Sequence, residues 1–97
     1  MKRTNSQSLG EVLREVMTLN PVLHRKILEI RIVRAWREVL GDTVARYTQQ
    51  AYVRDGVLHV SLASAVLRSE LSLCRDRLVK SLNEFAEAEV IQEIQLH

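Results

Sequence analysis

The chain has 97 residues, 46% of them hydrophobic and 27% charged, which fits one small globular domain around a modest core. No apolar run approaches the roughly 20 residues of a bilayer span, and residues 1–8 lack the apolar stretch of a secretory leader. The one cysteine, Cys74, excludes an internal disulfide and agrees with a reducing cytoplasm.

The formal charge of +2 is unevenly spread. Residues 1–46 hold nine Lys/Arg and five Asp/Glu; residues 47–97 hold five and seven. Eleven of the fourteen cations are arginine, whose planar fork suits phosphate. A basic half points to an anionic partner, and it also fits a plain solvated surface.

A flexible arm over residues 1–7 is expected, then a single domain over residues 8–97. The first element is a helix. Leu9, Val12, Leu13, Val16 and Met17 repeat at helical spacing and make one apolar face. Ser8 and Glu11 read as a capping box, which Gly10 weakens. Asn20 followed by Pro21 reads as the cap and first turn of a second helix. That helix is expected to run to about Leu40, with Gly41 as its left-handed cap.

The second helix changes face along its length. Leu23, Ile27 and Ile30 share one side; Leu28, Ile32, Ala35, Trp36 and Val39 share roughly the opposite side. Either its two halves pack on different neighbours, or it breaks near residues 28–30. Asp55-Gly56 then suits a type I′ turn between β-rich runs. Leu58, Val60 and Leu62 alternate with Val57, His59 and Ser61, so one face of that strand is buried.

A third helix is expected from Ser64, its cap, to about Ala86. Its stripe is Leu67, Leu71, Cys74, Leu78, Leu82 and Phe85. The last segment, from Val90, alternates as a strand, with Val90, Ile94 and Leu96 inward. The predicted order is α-α-β-β-α-β. The class is α+β, with a three-stranded sheet covered by helices on one face.

The ordered set Trp36, Val39, Gly41, Thr48, the run "VRDGVLHV" at 53–60, Ser64, Glu70-Leu71, Leu82-Asn83 and Ile91-x-x-Ile94 resembles the DciA family of small bacterial proteins. The resemblance covers residues 9–97. It implies a KH-like domain, DNA binding, and assistance to the replicative helicase. The family's common "H-T-x-P" is here Tyr47-Thr48-Gln49-Gln50, and Leu67 stands where the family usually has an aromatic. The chain also lacks the Gly-x-x-Gly loop with which ordinary KH domains clamp single strands.

Arg31, Arg34 and Arg37 recur at every third position, on the side of the second helix opposite Trp36. They could follow a phosphate backbone; a solvated face with an Arg34–Glu38 pair is the plain alternative. The resemblance favours the phosphate reading. Lys26, Arg46 and Arg54 would extend the patch, and Lys2 and Arg3 would add a mobile arm. Trp36 belongs to an apolar face and is expected in the core, which leaves Tyr47 and Tyr52 as rings for base stacking.

No catalytic constellation stands out. His24, His59 and His97 lack metal-ligand spacing. Cys74 is expected to be a small core residue, and nothing supports a Cys74–His59 nucleophile pair. No cofactor, metal or membrane contact is expected. The reading is a non-enzymatic, cytoplasmic, nucleoid-associated protein that binds single- or double-stranded DNA without sequence preference and assists the helicase. The alternative is an adaptor that meets a protein partner through the acidic segment from Glu84 onward, without touching nucleic acid.

Overall fold

The computed structural model describes residues 8–97, so the arm at 1–7, with Lys2 and Arg3, lies outside the described residues. The order is α1 (Leu9–Leu19), α2 (Pro21–Tyr47), β1 (Thr48–Arg54), β2 (Val57–Leu62), α3 (Ala65–Ser72), α4 (Arg75–Ala86) and β3 (Glu93–Leu96). The class is α+β, as the alternating patterns predict.

Local chemistry sets the element ends. The Ser8 hydroxyl accepts from the Glu11 N–H at 3.1 Å, opening α1. Of the expected apolar face of α1, Val12 is exposed, and the side chains of Leu9, Leu13, Val16 and Met17 lie outside the described residues. Asn20 Oδ1 accepts from the Leu23 N–H at 3.1 Å, and Pro21 follows at a position where no N–H is needed.

Two helix boundaries differ from expectation. Gly41 interrupts α2 at φ 87°, ψ 177°, and the helix resumes to Tyr47. This is not the left-handed cap conformation but a region that is essentially glycine-only. The interruption is a kink at Gly41, not a break near residues 28–30. The expected third helix is two helices. The Ser72 hydroxyl bonds back to the Ser69 carbonyl at 2.8 Å, and the Leu73 and Cys74 N–H groups reach carbonyls only three residues back. Such local bonds tighten and end a helix. Cys74 therefore sits at the N-cap of α4, half-buried against the core, not in the middle of a helical stripe. Phe85, expected inward, is exposed; Ala86 is buried in its stead.

The sheet order is β1-β2-β3, with β1 antiparallel and β3 parallel to β2. Asp55 and Gly56 both have positive φ, 51° and 77°, which is the type I′ requirement. Ser64 Oγ accepts from the Leu67 N–H and starts α3. The core is one cluster: Ile32, Ala35 and Trp36 of α2, Leu58, Val60 and Leu62 of β2, Leu78, Leu82 and Ala86 of α4, with Ile91 and Ile94. It fills the space between one sheet face and the helices. Ile91, just before β3, is a core residue that the alternation of the last segment did not reveal.

Asn83 ties that last segment to α4. Its amide donates to the Ile91 carbonyl at 2.8 Å and accepts from the Val90 and Ile91 N–H groups. Three hydrogen bonds to one side chain thus serve two backbone residues that precede a strand of only four.

Candidate nucleic-acid interface

Trp36 organises the site from below. It is 2% exposed, and its indole Nε1–H donates to Thr48 Oγ1 at 3.0 Å. The same hydroxyl donates to the Val44 carbonyl at 2.8 Å. One side chain thus joins the body of α2, the helical turn after Gly41 and the start of β1. A buried indole N–H needs such a partner. With Trp36 facing in, helical geometry turns Arg34 and Arg37 outward.

A groove of about 670 Å³ runs between that outward edge and β1. Lys26, Arg34 and Arg37 line it, with Val33 and Trp36 below and Gln49, Gln50 and Tyr52 along the strand. Glu29 and Glu38 line it too, so the three cations are tempered by two carboxylates. β1 is an edge strand, so its outer backbone N–H and C=O groups are not used by the sheet.

The other expected contact residues are placed differently. Arg31 is half-buried, and its guanidinium donates to the Ala86 carbonyl at 3.3 Å, at the C-terminal end of α4. A cation there complements the helix dipole. Arg31 also borders a second hollow, near 450 Å³, with Arg34, Glu38 and Phe85. Arg46 is exposed in the last turn of α2, and Arg54 is exposed at the end of β1; neither lines the groove.

The register of β1 decides where Tyr52 points. Thr48 pairs with Leu62, but Gln50 pairs with Ser61, so Gln49 is an extra residue in a bulge. In a regular strand Thr48 and Tyr52 would share a face. The bulge shifts the phase, as bulges do when they re-aim a side chain. Thr48 can then face Trp36 while Tyr52 pairs with His59 on the face away from the core.

On that face three rings stand in a row. Tyr52 and His59 stack with centroids 4.8 Å apart and planes 13° apart. His59 and His97 follow at 5.6 Å and 12°, with His59 Nδ1 and His97 Nε2 3.3 Å apart. Arg68 secures the end of this edge, donating to the Leu62 and His97 carbonyls. The chain order keeps His59 and His97 far apart; the parallel β2–β3 pairing brings them together. Nothing in the spacing of the histidines signals it. Tyr47, the other ring considered, is exposed at the end of α2.

Among the described residues, no group of three or more His, Cys, Asp or Glu side chains could hold a metal ion. No helix among them is long and apolar enough to cross a membrane.

The family model described as Dna[CI] antecedent, DciA, matches residues 8–96. No curated protein and no solved structure matched the chain.

Proposed function

The chain belongs to the DciA family, and from that premise we propose that it is a non-catalytic DNA-binding protein that assists loading of the replicative helicase. The carrying observation is the groove in which Lys26, Arg34 and Arg37 converge beside the edge strand β1. Cations along a helix edge can contact phosphates, which position a strand and carry no base preference. Binding is therefore largely independent of sequence and strongly dependent on salt. Arg46 and Arg54 extend the reach of the groove at the two ends of β1. Arg31 serves mainly to hold α4.

We read the architecture as KH-like, with strand contacts made by side chains because the glycines at 10, 41 and 56 form no Gly-x-x-Gly clamp. The setting that fits this role is the cytoplasm, on the nucleoid. The helicase would meet a different surface. Glu84, Glu87, Glu89 and Glu93 are all exposed around the approach to β3, and this rim suits a basic protein partner.

The test is binding of labelled single- and double-stranded oligonucleotides at low salt. Replacing Lys26, Arg34 and Arg37 together by glutamine weakens binding about tenfold or more and leaves thermal unfolding unchanged. Unaltered affinity in a folded variant would refute the groove as the phosphate site. If the chain captures the helicase after nuclease treatment while binding no DNA, the adaptor reading replaces this one.

A further inference from the structure

We propose that the row Tyr52–His59–His97 is a stacking platform for the unpaired bases of a single strand. Its docking ring is Tyr52, and its open end faces the basic groove. The proposal deepens the DNA-binding reading and rests on it.

The geometry builds it in three steps. Tyr52 lies on the edge strand, with one ring face packed on His59 of the inner strand. Its other face is directed beyond the sheet edge, and Tyr52 is 42% exposed. It lines the same groove as Lys26, Arg34 and Arg37. A base entering that groove would become the next ring of an existing row, while its flanking phosphates stay within reach of the cations. Arg54 shares the Tyr52 face of β1, two residues on.

The two histidines act as positioning residues. Backing by His59, itself backed by His97, fixes the Tyr52 ring before a base arrives, so less side-chain freedom is lost on binding. Ring spacings of 4.8 and 5.6 Å lie within the range of favourable offset stacking. Because every base has a π-face, the platform reads no sequence, but it requires that bases be unpaired. A duplex keeps its bases stacked inside and offers the groove phosphates alone. The platform therefore confers a preference for single strands, which the cations by themselves do not.

The experiment compares a labelled thymidine single strand with an abasic strand of equal length, which keeps the phosphates and lacks the bases. The wild-type chain binds the intact strand at least about fivefold more tightly. Tyr52→Ala removes that preference and leaves affinity for the abasic strand unchanged; Tyr52→Phe, which keeps the ring, retains it. A strand carrying 5-iododeoxyuridine, irradiated on the wild-type chain, crosslinks to the peptide that contains Tyr52. Equal wild-type affinity for both strands would overturn the platform and leave the groove standing. So would a preference that survives Tyr52→Ala, or a Tyr52→Ala loss equal on both strands. Failure of the wild-type chain to bind either strand would remove the DNA-binding reading and the platform with it.

Discussion

At the scale of single residues, two positions show how local chemistry sets the site. Thr48 Oγ1 accepts from the Trp36 indole N–H and donates its own O–H to the Val44 carbonyl. Thr48→Val keeps the shape and the strand preference but strands a buried donor. The expected loss is about 1–3 kcal/mol, read by denaturant unfolding with the fluorescence of Trp36 as the probe. Gly41 is a second case. A Cβ there would meet no atom within 4 Å, so the space is free and only the backbone objects. At φ 87°, ψ 177° a side chain is strained, and Gly41→Ala is expected to cost about 1–3 kcal/mol. A neutral result would mean that the helix can straighten through the kink. The tryptophan and the glycine were both legible as anchor and stop. That the helix restarts for another six residues was not, because a single glycine ends or kinks a helix equally well until its neighbours are packed.

At the scale of elements, the ties between α2, α4 and β3 separate structural from functional side chains. Arg31 and Arg34 look alike on a helical projection, yet only Arg31 reaches the Ala86 carbonyl. Arg31→Gln is expected to lower stability by about 0.5–1 kcal/mol with little effect on DNA affinity, and Arg34→Gln to do the reverse. Parallel unfolding and binding curves for the two variants check this. Asn83 supports a larger burden. Asn83→Ala leaves the backbone groups of Val90 and Ile91 without their partner, and a loss of about 2 kcal/mol or more is expected from the unfolding midpoint. The β1–β2 hairpin and the caps at Asn20 and Ser64 could be read directly, since each depends on neighbouring residues. The division of α3 from α4 escaped because the leucine spacing of 67, 71, 78 and 82 continues smoothly across it. The interruption comes from hydrogen bonds at Ser72 and Leu73, which hydrophobic periodicity does not encode.

At the scale of the molecule, the two sheet faces are given opposite tasks. One is closed by α2 and α4 over Leu58, Val60 and Ile94; the other carries the ring row, and the groove lies along the sheet edge between them. The cationic half of this site was visible in the sequence as spacing on a helix. Of the aromatic half, Tyr52 was named as a ring, but its row with His59 and His97 was not legible, because it depends on the bulge at Gln49 and on a parallel pairing between segments more than 30 residues apart. If the groove cations hold phosphates, a salt titration counts the contacts. Affinity for a single strand should fall linearly on logarithmic axes as salt rises. Replacing Lys26, Arg34 and Arg37 by glutamine should reduce that slope by about 2, at roughly 0.7 per phosphate contact. An identical slope in the wild-type chain and the folded triple variant would mean that these cations hold no phosphates.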